Sequence, residues 1–391
     1  MGTARRGVAL GRLRCGGDRS WCRDCGGIGS AAGSAGTSGA GTGPSAGRRR
    51  LPPGGGAAAC GRSRRAVAVR NLQVRIKRPP SRATDLELIE AERPALTNGS
   101  FLARALWLAV DPFRCASDVL TPGLPRPGDV VPACGVGEVI ESRHDVFAVG
   151  SLVVLDCGLQ QLCVSDGHHA RLLHPGQTPA STALGVLGAP GMAAYFGLLH
   201  LARLRPKETV LVSAAANAAG AMAGQIALLK GARAIGLAGT REKCDWVTRH
   251  ARLSGCINYA SENLEARLRQ LAPHGVDIYF DNVGGEMLER VVSSGILARG
   301  ARIVQNSVTP GEPEALLARG GYAPGSLQVL RVDLHDFEHR RSEFLRDAIA
   351  WYGAGRIASK DHVVDGLANA PAHLLLAMQG GNFGRPLVRV N

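Results

Sequence analysis

The sequence predicts an α/β protein in which a β-rich domain precedes a domain built on a parallel sheet. Short strand-like runs, interrupted by Gly, Pro and Asp, occupy the chain from Val67 to about Leu173. From about Gly191 the period changes, and apolar strands alternate with helical segments. Strands separated by helices of roughly ten residues are typical of βαβ units and therefore of a parallel sheet.

Four runs in the first part have the composition of strands. They are FLARALWLAV, GVGEVIES, SLVVLD and QQLCVS, with breaks at LTPGLPRPGD, FAVGS and SDGHH. The end of the chain, DHVVDGLANAPAHLLLAMQGGNFGRPLVRV, returns to a mixed pattern. We expect that segment to pack back on the first domain.

The second part predicts a regular alternation of strands and helices. The expected strands are TVLVSA, RAIGLAG, GCINYA, VDIYFDNVG and ARIVQNS. The expected helices are AAGAMAGQIALLKG, a charged helix from Glu242 to about Leu253, ENLEARLRQLA and EMLERVVSSGI. This order predicts a doubly wound parallel sheet.

The net charge of +14 belongs to a tail and not to a folded face. Residues 1–65 contain 12 Arg, no Lys and two acids, which leaves +4 for residues 66–391, without a long basic stripe. A nucleic-acid groove would concentrate Lys and Arg on one folded surface, so no nucleic-acid partner is expected. No apolar run approaches the ~18 residues that span a bilayer, so we expect a soluble, cytoplasmic protein without a membrane partner.

Residues 1–65 are rich in Arg, Gly, Ala and Ser and poor in large apolar residues. Such a composition predicts a disordered, low-complexity tail. It is also the composition of an organelle transit peptide, although the amphipathic Leu/Phe pattern is missing. A wrongly chosen upstream start is the third interpretation, and the residues do not decide among them.

The cysteines do not predict a metal site or a disulfide framework. Cys22 and Cys25 form a lone CxxC in the tail, and six others are dispersed singly through apolar contexts: Cys115, Cys134, Cys157, Cys163, Cys244 and Cys256. We interpret these six as buried, reduced thiols. None of the 11 His residues is followed by Glu, and the folded part has no four-Cys cluster, so no catalytic zinc is expected.

The stretch SAAANAAGAMAGQ, residues 213–225, joins a predicted strand to a predicted helix. A helix that begins there offers free N–H groups and a positive dipole end to a pyrophosphate. Gly220 and Gly224 allow close helix–sheet packing. Asn217 stands where glycine is common, and we expect it to occupy a tight or left-handed turn. Small residues at such a junction are also explained by packing alone.

The next strand ends in RAIGLAGTREK, where an NAD-binding unit places an Asp or Glu on the adenine ribose. No acid stands at that strand end. Thr240, Arg241 and Lys243 follow it instead, and this cationic cluster suits the 2′-phosphate of NADP. A solvated helix start is the alternative interpretation.

Several motifs together resemble one family. They are APGMAAYFGLL, ETVLVSAAANAAG, AGQIALLKGARAIGLAGTREKC, INY, VDIYFDNVGGEML and GGNFG, with weaker matches at LWLAVDPF, GVGEVIESRH and VSDG. In this order and spacing they resemble the prostaglandin reductase and curcumin reductase branch of the zinc-independent medium-chain dehydrogenase/reductases. The resemblance covers about residues 66–391, and VDIYFDNVGG is its most specific motif.

The resemblance implies a GroES-like catalytic domain, residues 66–188 completed by 345–391, and a Rossmann NADPH-binding domain, residues 189–344. It also implies roles for single residues. Asn217, Ala218, Ala219 and Gly220 would line the pyrophosphate, and Lys243 and Tyr259 would bind the 2′-phosphate. Asn282 would lie beside the cofactor, and Asn382 would close over the nicotinamide side.

The chain departs from the family pattern where phenolic donors are expected. Phe113, Val119 and, at about its position, Val332 stand where the family has tyrosines. Gln305 and Asn306, which we assign to the cofactor site, replace the usual Cys-Gly. The catalytic residues are therefore left unassigned. A ribose hydroxyl, a backbone N–H or a water would have to hold an enolate oxygen in place of the missing tyrosines.

The resemblance implies an NADPH-dependent reductase of the carbon–carbon double bond of α,β-unsaturated ketones and aldehydes, with hydride added at the β-carbon and solvent protonating the α-carbon. Two alternatives stay open: an NADPH quinone reductase, and a catalytically weak NADPH-binding sensor or interaction protein. The expected partner is a small-molecule enone, and the resemblance suggests a homodimer.

The tail leads to the first prediction. Deletion of residues 1–65 should leave NADPH affinity and melting temperature unchanged, because these residues lack the apolar side chains that build a core. Calorimetry and cofactor titration of the shortened and full chains measure both quantities. Failure of the shortened chain to fold would contradict this interpretation.

Overall fold

The computed structural model describes residues 70–78, 82–111, 126–306, 321–323 and 325–390, all within one unit that extends from Arg65 to Asn391. The tail and two of the family's expected tyrosine positions, Phe113 and Val119, lie outside the described residues.

The first part of the chain forms two antiparallel arrangements. Its strands are β1 (Arg70–Ile76), β2 (Leu86–Glu92), β3 (Phe101–Ala109), β4 (Cys134–Ser142), β5 (Leu152–Asp156), β6 (Leu162–Ser165) and β7 (Arg171–Leu172). β1 pairs with β2, and β3, β4, β5 and β7 are successive neighbours, with β6 beside β3. The four predicted strands are confirmed as β3 to β6, whereas β1 and β2 were not predicted.

The second part forms a six-stranded sheet in which all neighbouring strands are parallel. Its elements in chain order are α1 (Ala189–Phe196), β8 (Thr209–Val212), α2 (Ala218–Leu229), β9 (Arg233–Ala238), α3 (Arg241–Arg249), β10 (Gly255–Asn258), α4 (Leu264–Leu271), β11 (Val276–Asp281), α5 (Gly285–Ser293), β12 (Leu297–Gln305) and β13 (Gln328–Arg331). The strand order β10-β9-β8-β11-β12-β13 is the 3-2-1-4-5-6 order of doubly wound nucleotide-binding sheets. The predicted α/β fold class is confirmed.

Alternate residues of the parallel strands enter two separate apolar layers. Val210 of β8 and Phe280 of β11 pack in one layer with α1 and α2, whereas Leu211 and Tyr279 pack in the other with α4 and α5. Because successive side chains of a strand point to opposite faces, both faces of this sheet are covered, as parallel sheets require.

The last part of the chain contacts both sheets. Its elements are α6 (Arg341–Gly353), β14 (Asp361–Asp365), α7 (Ala370–Met378) and β15 (Arg385–Arg389). α6 buries Phe344 in the layer of α1 and α2. β15 pairs antiparallel with β3, and Val388 lies in the same apolar cluster as Phe101. The domain boundaries at 188 and 344 stay predictions.

Among the residues that the structure describes, five shorter helical segments occur: Ala83–Asp85, Ala180–Leu184, Gly197–Leu201, His335–Arg340 and Leu367–Asn369. None of the helices in the described ranges is long and apolar enough to cross a membrane.

A buried carboxylate joins the ends of the two central strands of the parallel sheet. Asp281 is the last residue of β11 and is fully buried. Its Oδ1 accepts hydrogen bonds from Ser213 Oγ, just after β8, at 3.1 Å and from the hydroxyl of Tyr279 at 3.0 Å. The same oxygen accepts from the backbone N–H groups of Val283, at 3.1 Å, and Gly284, at 3.0 Å. One oxygen therefore fixes both strand ends and the turn that follows β11.

This carboxylate leads to a stability prediction. Asp281→Ala should reduce the free energy of unfolding by at least about 3 kcal/mol, because the four donors lose their acceptor and each unsatisfied buried group costs roughly 1–3 kcal/mol. Urea unfolding of the variant and the parent measures the change.

Asp277, at the other end of β11, provides the matched control. It accepts a hydrogen bond from the backbone N–H of Thr209 at 2.8 Å and is only partly buried, so Asp277→Ala should cost about 1 kcal/mol. Equal losses in the two variants would contradict the central role of Asp281.

Candidate functional site

The candidate site lies at the carboxyl ends of β8 and β11, where the strand order of the sheet reverses. From β8 the chain proceeds to β9 and β10 on one side, whereas β11 leads to β12 and β13 on the other. Open α/β sheets bind their ligands in a crevice at this point, outside the carboxyl ends of the strands.

Asn282 is fixed in this crevice by three hydrogen bonds. Its backbone N–H donates to Ser213 Oγ at 2.8 Å, and its side-chain amide donates to Ser213 O at 2.8 Å. Its Oδ1 accepts from Nδ2 of Asn306 at 2.9 Å. The structure therefore brings together Asn282 and Asn306 at the ends of neighbouring strands, with Gln305 buried just before Asn306.

The turn between β8 and α2 differs from the prediction at one residue. The left-handed conformation lies at Ala214, with φ 48°, and not at Asn217, whose φ of −88° and ψ of 166° are extended. The chain changes direction at Ala214, directly after β8. Asn217 therefore only leads into α2, and an extended conformation suffices there. The expectation that Asn217 occupies a left-handed turn is therefore wrong, and glycine there would relieve no strain.

Gly220 allows the first turn of α2 to lie against this reversal. A Cβ at Gly220 would lie 2.3 Å from the carbonyl oxygen of Ala214, a backbone atom that cannot move aside cheaply. Ala218 and Ala219 precede it in the same turn. Asn217 precedes the helix without a side-chain capping bond to it. The first N–H groups of α2 thus receive no side-chain cap from Asn217, and a helix start of this kind can bind an anion.

Asn217 contacts a segment from the end of the chain. Its Oδ1 accepts a hydrogen bond from Nδ2 of Asn382 at 3.2 Å, and the same Nδ2 donates to the carbonyl of Gly384 at 2.8 Å. Asn382 is 4% exposed. The GGNFG segment, residues 380–384, therefore closes against the start of α2, and the structure brings Asn217 and Asn382 together.

A second contact with the GGNFG segment comes from the start of α3. Thr240 caps this helix by accepting a hydrogen bond from the backbone N–H of Lys243 at 3.2 Å. Lys243 Nζ donates to the carbonyl of Gly380 at 2.7 Å. Burial lowers the pKa of Lys243, and the neighbouring Glu242 opposes that change. Arg241 is exposed in the same turn.

Tyr259 completes this corner of the crevice. Its hydroxyl lies 2.8 Å from where a Cβ on Gly239 would stand, so the ring covers the residue that follows β9. Its backbone N–H donates to Ala238 O at 3.2 Å. β9 ends at Ala238 and is followed by Gly239 and Thr240, so no acid stands at the strand end among these described residues.

One of the three positions where the family has a tyrosine is described. Val332 follows β13, its N–H donates to Gln305 O at 2.9 Å, and its side chain lies beside Gly197. It thus packs in the apolar layer of the parallel sheet, and no hydroxyl is available at this position.

Sequence reasoning missed two residues of the site, Ser213 and Asp281. Both stand at strand ends, Ser213 after TVLV and Asp281 directly before Asn282 in DNVGG. The signal was a polar residue at the end of an apolar strand, directly after β8 for Ser213 and as the last residue of β11 for Asp281. In the described ranges, no group of three or more His, Cys, Asp and Glu side chains is arranged to hold a metal ion.

Family models match both parts of the chain. A model described as the N-terminal domain of oxidoreductase matches residues 72–173, and a model described as zinc-binding dehydrogenase matches residues 218–337.

Two curated relatives and one solved structure agree with these models. Prostaglandin reductase 1 from Bos taurus is 35% identical over 321 residues, which cover 78% of this chain and 94% of that protein. The NADPH-dependent curcumin reductase of Escherichia coli (strain K12) is 33% identical over 310 residues, which cover 75% and 88%. CurA from Vibrio vulnificus, solved in complex with NADPH, is similar with a TM-score of 0.73 at 32% identity, covering 82% of this chain and 99% of that one. The chain belongs to the zinc-independent medium-chain dehydrogenase/reductases, in the branch of the prostaglandin and curcumin reductases.

Proposed function

We propose that the protein is an NADPH-dependent reductase of the carbon–carbon double bond of α,β-unsaturated ketones and aldehydes. The observation that carries the proposal is the set of polar groups at the carboxyl ends of the strands, where Asn306 is bonded to Asn282, Asn382 to Asn217 and Lys243 to Gly380. A dinucleotide binds across the carboxyl ends of a sheet of this order. The relatives named as prostaglandin and curcumin reductases support the reaction class.

The residues present fit NADPH in three places. The start of α2, from Asn217 to Gly220, would receive the pyrophosphate, because glycine there lets the backbone approach and the N–H groups point outward. Thr240, Arg241, Lys243 and Tyr259 would hold the 2′-phosphate. Asn282, Gln305 and Asn306 would border the nicotinamide. Asn382, which the resemblance assigns to the nicotinamide side, is bonded to Asn217 and would close over the pyrophosphate instead.

The chain's own contribution to the reaction is positioning and exclusion of water. NADPH supplies the hydride for the β-carbon when it is bound. The side-chain amide of Asn282 donates to Ser213 and accepts from Asn306. Because these hydrogen bonds are already made within the protein, Asn282 would border the site in a fixed orientation. Val332 offers no proton donor, so backbone N–H groups would stabilise negative charge on the carbonyl oxygen and solvent would protonate the α-carbon.

We propose a cytoplasmic homodimer with a small-molecule enone as its substrate and neither a nucleic-acid nor a membrane partner. The weak net charge of residues 66–391 supports the absence of a nucleic-acid surface.

Turnover assays test the proposed reaction. With NADPH in the cuvette, the protein should oxidise the cofactor rapidly with enones and enals, and the product should be the saturated ketone or aldehyde. Simple quinones provide the comparison. Faster turnover of quinones would support a quinone reductase instead, and tight NADPH binding without turnover of either class would support a sensor or interaction protein.

Lys243→Ala tests the cofactor choice. The variant should bind NADPH about ten- to a hundredfold more weakly, because a charge-assisted hydrogen bond to phosphate contributes roughly 1.5–3 kcal/mol. NADH affinity should barely change, since NADH has no phosphate at that position. Isothermal titration of both cofactors gives the ratio.

Arg249→Ala at the opposite end of α3 is the control, because it removes an exposed cation of the same helix away from the crevice. It should leave both dissociation constants unchanged. Equal affinity of the parent protein for NADH and NADPH would refute the proposed phosphate site.

A further inference from the structure

Two cysteines that are dispersed in the sequence meet beside the proposed 2′-phosphate site. Cys244 lies in the first half of α3 and Cys256 on β10, 12 residues later, and their Sγ atoms are 2.7 Å apart. A disulfide bond needs about 2.05 Å between the sulfur atoms, so only a small approach separates this pair from bonding. The interpretation of all six dispersed cysteines as buried thiols is therefore wrong for Cys244 and Cys256, which are only partly buried because they lie on α3 and on the edge strand β10.

We propose that Cys244 and Cys256 are a redox modification site, which a hydroperoxide converts to an intramolecular disulfide in the folded protein. Both side chains are partly exposed, so that a small oxidant reaches them without unfolding. The two residues lie on different elements, and the bond would join α3 covalently to β10.

The surroundings of the two thiols shift their pKa values in opposite directions. The Cys256 thiol donates a hydrogen bond to Cys244 Sγ and thereby lowers the pKa of Cys244, to which a backbone hydrogen bond from Ala238 adds. Burial and the nearby Glu262 and Asp245 oppose this effect without reversing it. The pKa of Cys256 is raised by the same hydrogen bond and by burial. Because the thiolate is the nucleophile, Cys244 should react first.

The reaction balances in two steps. The Cys244 thiolate attacks one peroxide oxygen, the O–O bond breaks, and a sulfenic acid and hydroxide form. Cys256 sulfur then attacks the sulfenic sulfur, the S–S bond forms, and the sulfenic oxygen leaves as water with the thiol proton. The two thiols lose two electrons, and the peroxide gains them.

A second pair in the same chain supplies an internal contrast. Cys157 and Cys163 have their Sγ atoms 2.6 Å apart, yet each is only 3% exposed. The hydrogen bond from Cys157 to Cys163 and burial raise the pKa of Cys157 well above its ordinary value. Proximity is thus similar in the two pairs, whereas access favours Cys244 and Cys256, and the lowered pKa of Cys244 favours that residue as the attacking thiol.

The site is coupled to the cofactor through its neighbour Lys243, and this second part rests on the proposed function. A 2′-phosphate bound by Lys243 places negative charge beside Cys244 and raises the pKa of that thiol, because like charges disfavour ionisation. NADPH should therefore slow the oxidation of Cys244 about tenfold more than NADH does, since a rise of roughly one pKa unit removes that share of thiolate.

Peptide mapping of the full chain after hydrogen peroxide treatment tests the site. Trypsin places Cys244 in residues 244–249 and Cys256 in residues 253–267, so their disulfide joins two peptides under non-reducing conditions. We expect this joined species to form while the circular dichroism of the protein stays native. Its absence, with both thiols recovered free, would overturn the proposal.

The contrast pair is read in the same digest. Cys157 and Cys163 share the tryptic peptide of residues 144–171, where a disulfide lowers the mass by about two hydrogens instead of joining peptides. This change should occur at least about tenfold more slowly, because both thiols are buried away from the peroxide. Equal rates of disulfide formation in the two pairs would show that the distance between the sulfur atoms alone determines oxidation, and that the exposure and lowered pKa of Cys244 do not.

Single variants identify the attacking sulfur. Cys256→Ser should stop the reaction at a sulfenic acid on Cys244, which dimedone traps in peptide 244–249. Cys244→Ser should leave Cys256 unmodified on the same time scale. Trapping on Cys256 and not on Cys244 would reverse the assigned roles and contradict the proposal.

Saturating NADPH and NADH separate the two claims. Slower formation of the joined peptides with NADPH than with NADH supports the coupling. Fast and equal formation with both cofactors would overturn the coupling and count against the placement of the 2′-phosphate, while the redox site itself would stand.

Discussion

The arrangement of the site depends on a single buried oxygen, Oδ1 of Asp281. It accepts hydrogen bonds from the end of β8, from Tyr279 on its own strand and from the turn that follows β11. A buried donor that loses its acceptor costs free energy, so the four donors that converge on Oδ1 permit few other geometries. Gly284, whose φ of 71° suits glycine, allows the turn to fold back on the carboxylate. Asn282 is placed in the crevice as a consequence.

A second constraint comes from the far end of the chain. The GGNFG segment is held at Asn217 by the amide of Asn382 and at Gly380 by the ammonium of Lys243. It thus crosses the starts of α2 and α3, the two helices whose first turns face the proposed pyrophosphate and 2′-phosphate. Lys243 has three donors and uses one of them on Gly380, so it has donors left for a phosphate while it fixes the segment. The proposed phosphate site and the closure of the crevice therefore share one side chain.

The sequence predicted the fold class, most strands and helices and the edge of the sheet where the site lies, because apolar period and strand–helix alternation are local signals. The sequence-based predictions were wrong or incomplete where the conformation of a residue depends on partners that are distant in the chain. The left-handed residue is Ala214 and not Asn217, since packing against Gly220 determines the path of the turn. The contact between Asn217 and Asn382 spans 165 residues, and no spacing rule predicts it. The pairing of thiols across α3 and β10 was missed for the same reason.

The most direct test of the central claim is a crystal structure of the protein with bound NADP⁺. The proposed function predicts the pyrophosphate at the start of α2, the 2′-phosphate within hydrogen-bond distance of Lys243 and Tyr259, and the nicotinamide ring beside Asn282. A cofactor bound with its nicotinamide end at Lys243, or bound away from the carboxyl ends of β8 and β11, would contradict it.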